Sequence, residues 1–561
     1  MIRFNSIKVA ALVAATFLVS CGSSDGGPRY ATAFTLVTVD PSASAPLQLA
    51  IQACAGLKNR ELGGSVYVQF DTDDGWLSSL DLNPESTVRG AEFIESCAVE
   101  IGKCVHYDYD EQQALLPNIL TVASVLGAIP ADDELGLTCE DTVFDASTTF
   151  SDKNTPLLAT RYVFENFAER TTGLAMLNPG YDIYPEDHSN PPIVRDMPPA
   201  LVDFVFTKRL FVALLVNGCI KDHPERELLD EIVNAGNWPL PLAVYGYNDT
   251  WLVGGGYLYE AQTLCLDSRN MGQIPTATNN LSFFSTRRPP ITKPSQLTTN
   301  AAEDITYDPQ KTYVAFVVGD GDNVAYMMSA RKQWFTDRTT RCEEDPGACA
   351  PLTWSISPHL PTLAPDVLEW YYAAALRTGH DYFALPPSGH LYAYPASLAE
   401  SAQDRFVSAT EADARLLGTH STVDWEWFIS WKQAVNQFFP KYAKNNVIRG
   451  IIAVNVPYLL TAFPSWPDDQ FYEIINERVA LFRPREWRGI DDSDRFHLSP
   501  ASMADELANY PRGTVTAIYM TSDGGLSLEN SYEALVGLLP AHVQLVSADT
   551  AARLAVQASG H

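Results

Sequence analysis

After its first twenty residues, the chain has no apolar run long enough to cross a membrane. A spanning helix needs roughly 18 to 20 consecutive apolar residues. The best later candidate, 201–216, is interrupted by Asp203, Lys208 and Arg209. We therefore interpret this segment as a buried helix.

Several motifs that carry familiar chemistry are also missing. No GxGxxG follows a predicted strand and no P-loop occurs, so nicotinamide and ATP sites are not expected. Ser388 does not stand in a GxSxG elbow, which disfavours a nucleophilic-serine enzyme. No CxxC or HExxH spacing predicts a zinc site, and the interpretation preferred below requires neither metal nor cofactor.

Basic residues are scarce. The chain has 38 Lys and Arg against 68 Asp and Glu, a formal net charge of −30. Such a charge repels nucleic acid and anionic head groups, so a neutral or cationic ligand is more natural. The 11 Trp, 25 Tyr and 25 Phe residues suit stacking on sugar faces, although most of them must belong to the core.

The N-terminus predicts export. Arg3 and Lys8 precede an apolar stretch at 9–19, the pattern of a secretory signal over residues 1–20. Leu18-Val19-Ser20-Cys21 resembles a bacterial lipoprotein box, which implies acylation of Cys21 and a lipidated tether over 21–30. Gly22 after this cysteine favours the outer membrane by resemblance to known sorting rules. We expect a lipid-anchored protein of the bacterial cell envelope, either periplasmic or surface-exposed.

Eight cysteines remain in the exported part of the chain, and an even number there predicts disulfides. Cys97 with Cys104, and Cys342 with Cys349, could each close a short local loop. Three pairings stay open for the other four, which are Cys54, Cys139, Cys219 and Cys265.

Two domains are expected, because 561 residues exceed what one core usually supports. Residues 286–294 contain three prolines without an apolar period and are interpreted as a linker. This divides the chain into an N-terminal domain, 31–288, and a C-terminal domain, 296–561. The N-terminal domain begins with a strand–helix–strand pattern that predicts a parallel α/β sheet.

The C-terminal domain alternates strands with helical patterns. This alternation predicts an α/β fold of the (β/α) barrel-like type with about seven strands. The predicted strands are 312–318, 353–357, 382–385, 421–424, 450–455, 514–519 and 542–546.

The strand at 312–318 ends at Gly-Asp-Gly-Asp-Asn, and ligands of parallel α/β folds bind beyond such strand ends. Asp320, Asp322 and Asn323 are therefore expected to face a pocket. The alternative is an ordinary polar turn whose Asp caps the next helix. Other predicted strand ends carry His359, Ser388, Asp424, Glu426, Asn455 and Asp523, with Tyr392, Tyr394, Trp425 and Trp427 close to them in the sequence.

The segment Pro387-Ser388-Gly389-His390-Leu391-Tyr392-Ala393-Tyr394-Pro395 resembles the motif of the GxGYxYP putative glycoside hydrolases. Gly389, Tyr392, Tyr394 and Pro395 match the motif, whereas Leu391 stands in place of its second glycine. The Gly-Asp-Gly-Asp-Asn strand end and the segment 354–358 precede it in the family's order. The resemblance extends over nearly all of the mature chain and implies a carbohydrate substrate.

Glycoside hydrolysis normally needs two carboxyl groups that flank the scissile bond. Asp322 and Glu426 are the preferred pair, with Asp320 holding the geometry or bonding a sugar hydroxyl. Substrate contacts are expected from Asn323, His359, Ser388, Tyr392, Tyr394, Asp424 and Trp425. Against this interpretation, Trp425 and Trp427 flank Glu426 in the alternating manner of an ordinary strand face.

Two other functions remain open. In a metal-dependent carbohydrate deacetylase or hydrolase, Asp322, His359 and His390 would hold a divalent ion that activates water. In a non-catalytic glycan-binding lipoprotein, the aromatic and acidic side chains would hold polysaccharide without turnover.

Overall fold

The computed structural model describes most of the chain between residues 28 and 560. The described ranges are 28–71, 75–177, 200–215, 217–218, 220–235, 238–246, 271–276, 278–426, 430–454, 470–521 and 527–560. The predicted signal and Cys21 lie outside them, as do Cys219, Cys265, Trp427, Asn455 and Asp523.

The described chain contains twenty strands, which are numbered in chain order. They are β1 Thr35–Thr38, β2 Val66–Gln69, β3 Ser86–Arg89, β4 Lys103–Tyr107, β5 Ile129–Asp132, β6 Asp141–Asp145, β7 Leu174–Met176, β8 Phe211–Ala213, β9 Leu242–Tyr245, β10 Met271–Ile274, β11 Thr312–Val318, β12 Leu352–Ser355, β13 Asp381–Ala384, β14 Ser421–Trp425, β15 Gly450–Val454, β16 Tyr472–Ile475, β17 Val479–Phe482, β18 Glu486–Trp487, β19 Val515–Met520 and β20 Val543–Leu545.

Helices connect most of these strands, and none of the described ones combines the length and apolar character that crossing a membrane requires. The longer helices are Ala45–Glu61, Gly90–Ile101, Leu116–Leu126, Pro156–Phe167, Pro224–Ala235, Ala330–Glu344, Pro365–Thr378, Glu400–Leu417, Pro500–Ala508 and Ala548–Ala558. The shorter ones are Trp76–Ser79, Tyr109–Gln112, Ala146–Thr149, Val202–Lys208, Leu281–Thr286, Val324–Met328, Leu360–Leu363, Trp431–Gln433 and Ala534–Val536.

The segment predicted as one buried helix at 201–216 is a shorter helix followed by a strand. The helix Val202–Lys208 is mostly buried and ends where Arg209 adopts a left-handed φ of 56°. The chain then enters β8. The apolar residues of this segment therefore serve two elements, which one hydrophobic run could not reveal.

In the described part of the N-terminal half there are three small sheets, and all of their strand pairs are parallel. The strand orders are β2-β1-β3, β5-β4-β6 and β10-β9-β7-β8. The predicted β1–helix–β2 unit is present, with the helix Ala45–Glu61 between the two strands. The parallel α/β class predicted for this half is thus confirmed.

In the C-terminal half, all seven predicted strands are present. One sheet has the order β13-β12-β11-β19-β18, with β20 also paired to β11, and the second has the order β14-β15-β17-β16. A parallel bridge between Leu385 and Thr422 links the two sheets. All pairs in these two sheets are parallel except β16 with β17, which is antiparallel. Within the described residues no hydrogen-bonded pair joins β18 to β16, so the α/β class is confirmed and a closed seven-stranded barrel is not.

The two faces of β11 pack against different cores because successive side chains of a strand point to opposite faces. Tyr313, Ala315 and Val317 face an inner core shared with β15, β17, β19 and the helix Ala548–Ala558. The even-numbered residues face an outer core shared with the helices Ala330–Glu344 and Pro365–Thr378. This inner and outer division decides which strand-end side chains can meet.

The segment predicted as a linker is docked onto the C-terminal half. Arg287 forms an ion pair with Asp366, and Arg288 pairs with both Asp366 and Glu369. The outer core also includes side chains from both halves. The domain boundaries at 288 and 296 stay a prediction.

Three disulfides lie in the described residues. Cys342–Cys349 is present as predicted. The predicted Cys97–Cys104 loop is wrong, because Cys97 pairs with Cys54 and Cys104 pairs with Cys139. Cys97 lies on a helix that packs against the helix carrying Cys54, a tertiary contact that sequence separation does not reveal.

Candidate active site

The turn after β11 packs closely against the backbone of Ser355 and against the phenol of Tyr519. A Cβ on Gly319 would lie 2.1 Å from the hydroxyl oxygen (Oη) of Tyr519, and a Cβ on Gly321 would lie 2.1 Å from the carbonyl oxygen of Ser355. Between the two glycines, Asp320 adopts a left-handed φ of 61°. Glycine is thus required on both sides of Asp320 by the close approach of β19 and β12.

Tyr519 lies at the centre of this arrangement. It is 1% exposed on the inner face of β19, and its Oη accepts a hydrogen bond from the backbone N–H of Asp320 at 3.2 Å. Burial raises the pKa of Tyr519 well above its ordinary value, and the negative charges of Asp320 and Asp322 raise it further. Both aspartates are only partly buried, so the turn carries two accessible carboxylates next to a phenol that stays protonated.

A third carboxylate approaches from β18. Glu486 is aligned with Tyr519 in the parallel pairing of β18 and β19, and its charge also raises the pKa of Tyr519. The side chain of Glu486 is almost completely buried, and Nε of Arg488 donates to its Oε2 at 2.7 Å. We call Asp320, Asp322, Glu486 and Tyr519 the mouth cluster.

A buried cation lies below this acidic turn. Arg331 is 1% exposed and donates to the carbonyl oxygen of Gly319. Its guanidinium carbon lies 5.1 Å from the ring centroid of Tyr326 and 5.4 Å from that of Trp354, a cation–π arrangement. The positive charge and the aromatic packing hold the turn in place from the outer side.

Asn323 has a structural task at the end of the turn. Its Oδ1 accepts the backbone N–H of Tyr326 at 3.2 Å and so caps the helix Val324–Met328. The N–H of Val324 donates to the carbonyl oxygen of Pro275, which belongs to the N-terminal half. Asn323, rather than an aspartate, therefore caps the next helix, and Asp320 and Asp322 are left as the acidic side chains of the turn.

Glu426, the predicted catalytic partner of Asp322, is fully buried. Its Oε1 accepts the N–H of Ala396 and its Oε2 accepts the hydroxyl of Ser430, both at 2.6 Å. Burial raises the pKa of Glu426 to about 8. These contacts tie the end of β14 to neighbouring loops, so the structure does not bring Glu426 to an accessible surface.

Asp424 is also fully buried, and neither of its carboxyl oxygens has a hydrogen-bond partner among the described residues. Because Val423 faces the inner core, Asp424 faces the outer side of the sheet. Burial raises the pKa of Asp424 well above its ordinary value, and the charge of Glu426 raises it further. A substrate contact from Asp424 is therefore not supported by this geometry.

The predicted aromatic contacts separate into different environments. Trp425 is partly buried on the inner side, with its ring centroid 6.4 Å from that of Tyr392. The backbone of Tyr392 exchanges two hydrogen bonds with that of Gln273 on β10, which docks the motif loop onto the N-terminal half. Tyr394 is 2% exposed and presents no stacking surface.

Ser388 supports the same loop. Its fully buried hydroxyl lies 2.9 Å from the carbonyl oxygens of Ala393 and Trp425, and it accepts the N–H of Trp425 at 2.9 Å. These contacts connect the motif loop to the end of β14. They leave Ser388 in a structural position rather than on the surface of a pocket.

The two histidines of the metal hypothesis are engaged with protein groups. Nε2 of His359 donates to the carbonyl oxygen of His390 at 2.6 Å, and Nδ1 of His390 lies 2.6 Å from Oδ2 of Asp413. Burial lowers the pKa of His359 to about 3, with a further contribution from His390. Within the described ranges, no three His, Cys, Asp or Glu side chains are arranged to hold a metal ion.

Sequence reasoning missed Tyr519 and Glu486. Tyr519 is the last inward-facing residue of a strand that was predicted to end at this position. Its alternation with Val515 and Ala517 is the sequence signal that could have placed it at the strand end on the inner face. Glu486 lies on the two-residue strand β18, which is too short to show an alternation of inward and outward residues.

The comparisons with known proteins agree with this fold. Residues 310–482 match a family model described as the GxGYxYP putative glycoside hydrolase C-terminal domain. This confirms the resemblance that the motif loop indicated for residues 310–482, and the predicted extension to the N-terminal half stays a prediction. The matched segment contains Asp320 and Asp322, whereas Glu486 and Tyr519 lie beyond its end. No curated protein sequence matches the chain.

A solved structure covers almost the whole chain. It is a putative hydrolase from Bacteroides thetaiotaomicron VPI-5482, with a TM-score of 0.67 and 17% identity over 94% of this chain and 96% of that one. At this identity the match shows a shared fold alone. A 4-alpha-glucanotransferase from Thermococcus litoralis aligns over 43% of this chain and 40% of its own, with 12% identity and a TM-score of 0.31, too low to carry an argument.

Proposed function

We propose that this protein hydrolyses glycosidic bonds in a poly- or oligosaccharide at the mouth cluster. The observation that carries the proposal is the turn at the carboxyl end of β11, where two partly buried aspartates stand two residues apart and the backbone N–H of Asp320 donates to Tyr519 of the neighbouring parallel strand. The family model that covers both aspartates supports a glycoside substrate.

In this proposal, Asp322 supplies one of the two carboxyl groups that glycoside cleavage needs and Asp320 supplies the other. Glu486, whose charge is paired with Arg488, adds a third acidic group at this edge of the sheet. Trp425 and Tyr392 offer partly buried aromatic faces for a sugar ring. Glu426 is assigned to holding the motif loop, because both of its oxygens are already bonded to protein groups.

The first test is turnover of 4-nitrophenyl glycosides and of a polysaccharide panel by the purified protein. Asp322→Asn and Asp320→Asn keep the side-chain volume but remove a charge, and each is expected to lower kcat by about 10²–10⁴-fold. Asp337→Asn is the matched control. Asp337 is also partly buried and contacts the amide of Gln333 on a helix surface, so this variant should keep parental rates.

Other outcomes would reject this assignment. Parental rates in both aspartate variants would place the centre elsewhere, and loss of turnover in a folded Glu426→Gln variant would return that residue to the mechanism. Glycan binding without any turnover would favour a binding lipoprotein. Inhibition by EDTA with recovery on adding a divalent ion would favour the metal-dependent hydrolase or deacetylase.

We further propose that the protein is anchored to the bacterial cell envelope through acylated Cys21. The lipoprotein box around this residue supports the assignment, and Gly22 favours the outer membrane. Cys21→Ala should abolish acylation and move the protein out of the membrane fraction. Membrane fractionation and intact mass measure this, and an unchanged mass and partition would contradict the anchor.

A further inference from the structure

A small cavity lies at the amino ends of β13 and β14, whereas the mouth cluster lies at the carboxyl ends of the parallel strands. Tyr382 is the second residue of β13, and His420 directly precedes β14; both line the cavity. Its volume is about 220 Å³. This is below the roughly 300–1,000 Å³ of pockets for drug-sized ligands and about seven times the share of one water molecule in the liquid. The cavity therefore suits a single sugar unit rather than a chain of them.

One wall of the cavity is a short extended segment that is anchored at both ends. Nδ2 of Asn300 donates to two backbone carbonyl oxygens, at 2.8 and 2.9 Å. The carboxyl group of Glu303 accepts the N–H of Ser547 at 2.7 Å and its hydroxyl at 2.6 Å. The exposed residues 301–302, which line the cavity between these anchors, are thus held in place.

Two polar atoms of the lining have no hydrogen-bond partner among the described residues, Oη of Tyr382 and Nε2 of His420. Burial and the charges of Glu303 and Asp381 raise the pKa of Tyr382 to about 12, so the phenol keeps its hydrogen at neutral pH. Nδ1 of His420 lies 2.9 Å from the carbonyl oxygen of Val447, which can only accept a hydrogen. Nδ1 therefore carries the hydrogen, and Nε2 of the neutral ring is an acceptor.

The carboxyl groups around the cavity are already bonded to protein groups. Asp381 accepts Nε of Arg338 at 2.7 Å, and Asp549 accepts the hydroxyl of Ser421 at 2.6 Å. Glu303 is bonded as described above. No lysine or arginine of the described chain lines the cavity. A charged ligand would find no unpaired opposite charge here, so a neutral ligand is favoured.

We propose that this cavity binds one neutral monosaccharide, with the phenol of Tyr382 donating to one sugar hydroxyl and Nε2 of His420 accepting from another. Ala301, Ala302 and Leu417 also line the cavity and provide apolar surface for the C–H groups of the sugar ring. The site is separate from the mouth cluster, so it does not depend on the function proposed there.

The test is saturation-transfer NMR of the purified protein with glucose, galactose, mannose, xylose and N-acetylglucosamine. At least one sugar is expected to bind saturably. Tyr382→Phe and His420→Asn should each weaken its binding about fivefold, the effect of losing one neutral hydrogen bond. Asparagine can keep the bond to the Val447 carbonyl through its amide N–H, while it removes the acceptor.

Tyr162→Phe is the matched control. Tyr162 is also partly buried, but it lies in an aromatic cluster of the N-terminal half, with its ring centroid 6.0 Å from that of Phe150. Its variant loses a phenol hydroxyl outside the cavity, so the dissociation constant of the sugar should equal that of the parent.

A second measurement uses the parent protein alone. Diethyl pyrocarbonate acylates unprotonated imidazole nitrogens, and peptide mass spectrometry follows the reaction at each histidine. A saturating concentration of the bound sugar should slow the modification of His420 several-fold. His497, whose Nδ1 lies 2.8 Å from Oδ1 of Asp494 and which does not line the cavity, should react at the same rate with and without sugar.

Absence of saturable binding by the whole panel, or equal modification of His420 with and without sugar, overturns the inference. Binding that both cavity variants keep and Asp322→Asn loses would place the sugar at the mouth cluster, which overturns the inference and supports the proposed function. Binding that the cavity variants weaken and Asp322→Asn keeps supports the inference, whether or not the protein cleaves glycosides.

Discussion

At the scale of single residues, burial separates the acidic side chains near the sheet into two groups. Asp320 and Asp322 are partly exposed and lie at the mouth cluster, whereas Asp424 and Glu426 are fully buried. Both groups lie at the ends of predicted strands, so their sequence contexts look alike. The difference arises from what covers the end of β14: the segments that carry Ala396 and Ser430 close over Glu426, and this tertiary contact is not visible in the local sequence.

The buried pair of Asp424 and Glu426 predicts a pH-dependent stability, and Glu426→Gln should remove the part that Glu426 contributes. The pKa of Glu426 is raised from 4.5 to about 8. Between these pH values the folded protein keeps a proton that the unfolded chain releases, so the free energy of unfolding falls as pH rises. Glutamine keeps the volume and can bond both Ala396 and Ser430.

Urea unfolding at pH 5 and pH 9 measures the effect. Glu426→Gln should unfold near the parent's midpoint at pH 5 and be more stable than the parent at pH 9, by on the order of a few kcal/mol. Asp337→Asn should follow the parent at both pH values. Because Asp424 keeps a raised pKa in the variant, Glu426→Gln should lose less stability between pH 5 and pH 9 than the parent rather than none. An equal loss in both proteins would show that Glu426 is not protonated in the folded state.

At the scale of elements, strands with a strong apolar run were predictable and strands defined by tertiary contacts were not. β11 has the predicted bounds because seven buried residues end at a glycine. β16 pairs antiparallel with β17, and β18 has only two residues, so neither resembles a strand of a parallel sheet. The sequence accordingly predicted two members of the mouth cluster, Asp320 and Asp322, and missed Glu486 and Tyr519.

The disulfides offer an element-scale prediction. The two cysteines of the Cys54–Cys97 disulfide are 43 residues apart in the sequence, and those of Cys342–Cys349 are 7 residues apart. Because a cross-link restricts the unfolded chain more when its loop is longer, replacing the first pair by alanines should cost about 4 kcal/mol and the second about 2 kcal/mol. Urea midpoints of the two double variants measure this. A larger loss from the short loop would contradict the prediction, and non-reducing peptide mapping verifies the pairings.

At the scale of the whole molecule, the two predicted domains pack against each other, although the proline-rich linker between them suggested separate units. Trp76 of the N-terminal half donates its indole N–H to the carbonyl oxygen of Met328 at 2.6 Å and packs edge-on against Trp370. The backbone bridge between Gln273 and Tyr392 joins β10 to the motif loop. A sequence pattern can locate a proline-rich seam but cannot show that side chains on either side of it pack together.

These contacts predict that the two halves unfold as one unit. The ion pairs of Arg287 and Arg288 with Asp366 and Glu369 hold the linker against the helix Pro365–Thr378, and the outer core continues through both halves. Calorimetry of the full chain should give one transition. Asp366→Ala leaves two partly buried arginines without this partner. It should lower the midpoint by about one to two degrees, since a transition of this size moves by about one degree per kcal/mol, whereas Asp337→Asn should leave the midpoint unchanged. Two separate transitions in the parent would contradict this prediction, as would a shift confined to one transition in Asp366→Ala. Either result would mean that each half has an independent core and that the motif loop is positioned without help from β10.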